Sequence, residues 1–135
     1  MAYPRGANIA AYQTASAHGG VAASDSHGLV LMLMNGALER IGRARGCIIN
    51  KSYADKAHNI HRSVAIIDEL RNSLNVKDGG DVADGLNRLY DYMCRKLLAA
   101  TVENNVAALD EVGELLTGIR DSWARISKED RAGRG

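Results

Sequence analysis

His58 and His61 lie three residues apart, about one helical turn, and two imidazoles so placed can hold half of a metal site. Asp55 stands three before His58, which gives Asp55-Lys56-Ala57-His58 part of the acid-x-x-His spacing of a di-metal centre in a helical bundle. Such a centre needs two Glu-x-x-His pairs and a Glu from each remaining helix. Here the acid and the imidazole form a single pair, so the two histidines read as solvated side chains. The glycine clusters lack the Lys and Ser or Thr that a phosphate loop places after them. Asp110, Glu111 and Glu114 form an acidic patch early in a helical stretch, where negative charge complements the helix dipole. Cys47 and Cys94 are far apart, with no second ligand beside either, and read as reduced, partly buried thiols. No nucleophile adjoins a plausible base. The residues therefore point to no enzyme, no metal and no cofactor.

The composition narrows the remaining classes. The 135 residues are enough for one domain with a real core. Apolar residues make up 46%, yet Phe is absent and Trp occurs once, so Ala, Leu, Ile, Val and Met must fill the interior. The formal net charge is +1, and the basic trio Arg40, Arg43 and Arg45 spreads around a helix, which argues against nucleic acid as a partner. Arg5 is followed by no continuous apolar run, so the start does not read as a secretory signal. The longest apolar run, Leu29 to Met34, is too short to span a bilayer, so no membrane insertion is expected. These features place the protein in the cytoplasm.

Residues 1–24 are rich in Ala, Gly and Ser, hold the only proline, Pro4, and read as a mobile or loosely docked arm. Beyond it proline is absent and the periodicity is helical. The first helix spans about Ser26 to Ile49, opened by Ser24 or Asp25, with Val30, Met34, Ala37, Ile41, Ala44 and Ile48 as its seam. The second starts at Ser52, with Asp55 completing a capping-box-like pair, and carries Ile60, Val64, Ile67, Leu70 and Leu74. In the third, Gly79-Gly80 makes a turn and Asp81 caps a helix that ends near Glu103. Its seam is Val82, Leu86, Leu89, Met93, Leu97 and Ala100. The fourth starts at Asn104 or Asn105 and carries Leu109, Val112, Leu116, Ile119, Trp123 and Ile126. Seams of this period keep near-parallel helices in contact, and short connections force neighbours to alternate in direction. The expected fold is all-α, an antiparallel four-helix bundle over residues 25–127, with a charged tail at 128–135.

Six glycines, Gly36, Gly42, Gly46, Gly85, Gly113 and Gly118, interrupt these helices. Close helix–helix contact and approach by a partner are both open as the reason. Some apolar residues lie off the seams: Leu31, Leu38 and Ile49 in the first helix, Tyr92 and Leu98 in the third. A bundle buries wide faces, but surplus of this kind also lines grooves for an amphipathic or disordered peptide. A histidine phosphotransfer bundle is the alternative on the same fold. It calls for an exposed His followed by Lys at +3 and Gly at +4, and His27, His58 and His61 all lack that pattern.

The stretch Gly79-Gly80-Asp81-Val82-Ala83 through Leu89-Tyr90-Asp91-Tyr92-Met93 to Leu97-Leu98 resembles the third helix of the flagellar secretion chaperone family FliS. Ala11-Tyr12-Gln13, Leu33 through Gly36-Ala37, and Glu111-Val112 to Trp123 extend the resemblance over nearly the whole chain. Two positions depart from the family pattern. Asp25 follows Ser24 where the family usually has Ser-Pro, and Met34-Asn35-Gly36 replaces an aromatic-Asp-Gly.

The resemblance implies a cytosolic type III export chaperone that binds the disordered carboxyl-terminal segment of flagellin, prevents premature polymerisation and assists delivery to the export gate protein. It implies a flagellin groove, which the helical wheel places on Leu31, Met34, Leu38, Tyr90, Tyr92 and Leu98. It also implies that Ile9 and Tyr12 of the arm contact the export gate and cover the groove when it is empty. An anti-sigma factor, which some members bind, is a further partner left open.

Overall fold

The computed structural model describes residues 26–126 apart from Asn75, with 76–79 described by their backbone alone. Four helices account for nearly all of it: α1 Ser26–Ile49, α2 Tyr53–Asn72, α3 Val76–Glu103 and α4 Val106–Arg125. Each packs against its chain neighbours, and α1 closes the ring onto α4. The connections, at 50–52, 73–75 and 104–105, are too short to run back along a helix, so successive helices alternate in direction. This is the expected four-helix bundle. The arm, the proposed caps Ser24 and Asp25, and the charged tail lie outside the described residues.

The helix ends follow local chemistry. Asn105 adopts an extended conformation, and its side chain accepts from the Ala108 amide, opening α4 as an N-cap. After α1, the Ser52 amide donates to the Cys47 carbonyl and the Lys51 amide to the Ile48 carbonyl. That is a Schellman closure, which puts the residue after the cap in the left-handed region. Lys51 occupies it at φ 60°, where glycine is the usual choice. One helix start differs from expectation. Ser52 precedes α2 but its side chain makes no capping bond, and its ψ of 72° lies outside the extended conformation of a capping residue. The third helical stretch starts at Val76, and the expected break at the glycines falls within it, separating a short first piece from the main helix. Gly80, at φ 59° and ψ −135°, sits inside it as a kink that only glycine adopts without strain.

The seams meet as the interior. Met34, Ala37, Ile41, Ala44 and Ile48 of α1 pack with Ile60, Ile67 and Leu70 of α2, Met93, Leu97 and Ala100 of α3, and Leu109, Val112 and Leu116 of α4. Val82 departs from the pattern. It is 75% exposed and Ala83 is buried instead, since the first turn beyond Gly80 lies at an end of the bundle with no layer over it.

Polar links fix the register around this core. Arg45 pairs with Asp110 at 2.7 Å and Arg120 donates to Asn35 at 3.0 Å, both between α1 and α4. Arg40 donates to Asn59 across α1 and α2, and Arg71 to Asn87 across α2 and α3. Lys56 is buried. Its ammonium donates to the Thr101 carbonyl at 2.7 Å and to the Asn104 side chain, and lies 4.9 Å from the centre of the Tyr53 ring. A cation is thereby held at the negative end of α3.

The helix glycines are not explained by tight packing. A Cβ placed on Gly42, Gly46, Gly85, Gly113 or Gly118 would meet nothing within 4 Å. The close-contact expectation fails at these five positions.

Candidate functional site

Alternating helix directions bring the start of α1, the end of α2, the start of α3 and the end of α4 to one end of the bundle. There the four helices do not close. They leave a cavity of about 800 Å³, within the range of binding pockets. Val30 and Met34 contribute from α1, Leu70 from α2 and Leu74 from the connection after it. Val82, Leu86, Leu89 and Tyr90 of α3 line it, facing Leu115, Ile119 and Trp123 of α4. Met34 and Tyr90, each 2% exposed, form its floor. Burial pushes the Tyr90 phenol up to about 12, so the floor stays uncharged. Glu114 is the one charged side chain among the described residues that line the cavity.

One wall is held by a clasp. The His27 and Trp123 rings stack with centroids 4.7 Å apart and planes 19° from parallel. Trp123 Nε1 donates to the His27 carbonyl at 3.0 Å, and His27 Nε2 lies 2.8 Å from the Trp123 carbonyl. A carbonyl only accepts, so that imidazole nitrogen carries the proton. The two reciprocal bonds tie the first turn of α1 to the last turn of α4.

A second, shallower hollow of about 590 Å³ runs between α1 and α4, over Leu38, Ile41 and Leu109. Gly42, Gly113 and Gly118 line it, so the missing side chains are what opens it. Glu114 and Gly118 belong to both hollows.

Among the described residues, no group of three or more His, Cys, Asp or Glu could hold a metal ion. His58 and His61 are exposed on α2. No helix of the described residues is long and apolar enough to cross a membrane. An open-ended cavity whose lining is apolar apart from Glu114 and a few small polar groups suits apolar side chains presented by another polypeptide.

Comparison with known proteins agrees with an architecture made for binding. The family described as flagellar protein FliS matches residues 8–130. The chain is 37% identical over 116 residues to the flagellar secretion chaperone FliSB of Pseudomonas aeruginosa, covering 86% of this chain and 92% of that protein. It is 36% identical over 120 residues to the flagellar secretion chaperone FliS of Salmonella typhimurium, covering 88% and 89%. For the corresponding protein of Vibrio cholerae the identity is 32% over 122 residues, 90% of each. The chain belongs to the FliS family.

In this FliS-family bundle the six groove residues drawn from the helical wheel do not form one surface. Met34 and Tyr90 meet in the floor of the end cavity. Leu38 lines the shallow hollow, and Leu31 is half-buried and lines neither. Tyr92 lies on the α3–α4 flank, where its hydroxyl donates to Glu111 Oε2 and Lys96 Nζ stands 3.4 Å from Glu111 Oε1. The Tyr92 hydrogen bond, aided by Lys96, holds the Glu111 carboxyl below its usual range, and the same bond pushes the Tyr92 phenol up. Leu98 is exposed on α3 beside Val102, towards the other end of the bundle. Ile9 and Tyr12 lie outside the described residues. Leu86, Leu89, Ile119 and Trp123 fall in the seams that the sequence shows, because residues at a cavity mouth keep the same spacing as residues below it, whereas Leu115 lies off the α4 seam and periodicity does not single it out. For Leu86 and Trp123, nearness to a helix end is the available signal.

Proposed function

We propose that this FliS-family protein is a cytoplasmic, non-enzymatic export chaperone for the disordered carboxyl-terminal segment of flagellin. The observation that carries the reading is the end cavity: apolar walls from all four helices, an uncharged floor and an opening to solvent. A disordered segment that folds on binding must bury extensive apolar surface, because its ordering costs roughly 2–5 kcal/mol or more. The cavity supplies the central part of that surface, with Met34 and Tyr90 beneath it. Leu31, Leu38, Tyr92 and Leu98 belong to the path of a longer segment wrapped around the bundle. Covering the segment keeps flagellin from polymerising before export.

α1 begins beside the cavity, with Val30 in its lining. In our reading Ile9 and Tyr12 cover the cavity when it is empty and contact the export gate protein once flagellin takes their place. The test is calorimetric titration with the carboxyl-terminal segment of the same organism's flagellin. One-to-one binding with a negative heat-capacity change is expected, and its loss in Leu86→Glu would place it at the cavity. A folded protein that gives no heat at several temperatures with a soluble segment overturns the proposal.

A further inference from the structure

The acidic residues of α4 differ in one respect. Asp110 pairs with Arg45 at 2.7 Å, Glu111 with Lys96 at 3.4 Å and Asp121 with Arg120 at 2.8 Å. Glu114 makes no ion pair or hydrogen bond among the described residues, and it alone carries charge at the end cavity. It also stands where that cavity meets the shallow hollow between α1 and α4. Glu114 is exposed at the rim, with apolar walls on one side of it, so a cation that docks there leaves part of its water and meets the carboxylate at lower effective dielectric than in open solvent. Neighbouring helices supply a basic partner to Asp110 and Glu111, and α4 itself supplies one to Asp121, but no basic side chain of the described residues pairs with Glu114.

We infer that Glu114 is a specificity-determining residue: it receives a lysine or arginine of the apolar segment that fills the end cavity. The inference rests on the proposed function and adds the chemistry that selects among apolar segments. Leucine-rich stretches of any origin fit an apolar cavity alike, whereas a basic residue set between apolar ones fits this cavity with a charge match. Pairs of this kind at a rim contribute more to choice of partner than to total affinity.

The experiment titrates the full chain with the carboxyl-terminal flagellin segment, using wild type, Glu114→Gln and Glu114→Lys at low and high salt. Segments with each Lys or Arg replaced by Glu in turn complete the set. The expected result is a loss of about fivefold for Glu114→Gln at low salt, shrinking at high salt as screening removes the pair. Glu114→Lys loses more, and one acidic segment variant recovers affinity specifically with it. If Glu114→Gln binds within twofold of wild type at low salt while Leu86→Glu no longer binds, the inference falls and the chaperone reading stands. If every basic residue of the segment can be replaced without loss, the inference falls likewise. If wild type binds no segment, both fall together.

Discussion

Replacing Gly42, Gly113 and Gly118 by alanine should make the protein more stable. All three lie in helix interiors, where glycine costs about 0.5–1 kcal/mol against alanine through backbone entropy. That gain is usually cancelled where a new methyl group collides with a neighbouring helix. Here the added Cβ meets nothing within 4 Å at any of the three sites. Each substitution is therefore worth nearly the full propensity difference, and together they should add about 1.5–3 kcal/mol. For a folded unit of this size a kcal/mol corresponds to roughly 4–8 °C, so the triple variant should melt at least about 6 °C higher. Urea denaturation followed by circular dichroism gives the free energy, and calorimetry the melting temperature. A triple variant that melts at or below the wild-type temperature would refute the reasoning, because it would mean the helices touch where the hollow is described. Adding the methyl groups one at a time would then show which contact had been overlooked.

Three further outcomes follow from the geometry. Lys51→Gly relieves a left-handed residue in the closure after α1 and should stabilise by about 1 kcal/mol, read from the urea midpoint; a lower midpoint would show that the lysine side chain holds the turn. The Cys94 thiol is pushed up to about 11, first by burial and then by Asp68, and should resist a thiol reagent in the native protein while half-buried Cys47 reacts; labelling followed by peptide mapping decides, and faster native labelling of Cys94 counts against its burial. Glu111 is held below its usual range in the folded state, so its contribution is present above the ordinary carboxylate range and is lost as pH falls through the lowered value. Glu111→Gln should therefore flatten the acid limb of stability below about pH 5, and an acid limb identical to wild type would remove the Tyr92–Lys96 contact from the explanation.

The bundle was legible in the sequence because its signals were redundant. In α4 the Asn105 cap, the Leu109-Val112-Leu116 seam and the absence of proline all indicate one helix. In α1 the seam and the following Asn50-Lys51 agree in the same way. The cavity was not legible, since Leu86 and Trp123 recur in step with Met93 and Leu116, and periodicity records direction around a helix rather than depth along a bundle. Met34 and Tyr90, which the helical wheel and the resemblance together assign to the groove, lie beneath the cavity's apolar walls. The His27–Trp123 clasp joins residues 96 apart in sequence, so nothing local to either announces it. The glycines carried an ambiguous message, and packing geometry was needed to separate crowded positions from empty ones.

Alternating helices also decide where the described chain enters and leaves. Val30, one turn into α1, and Ile126, just past α4, both line the end cavity, so the two chain paths run past its mouth. A solubility tag or fluorescent protein attached by a short linker directly before Ser26 or after Ile126 would crowd that opening and depress apparent affinity by obstruction alone. The turns at Lys51 and Asn104, at the other end of the bundle, offer insertion points that leave the mouth clear. The same closeness is useful in reverse. A partner segment joined through a flexible linker directly before Ser26 or after Ile126 would begin its search close to the opening, so even a weak interaction could be captured as an intramolecular one.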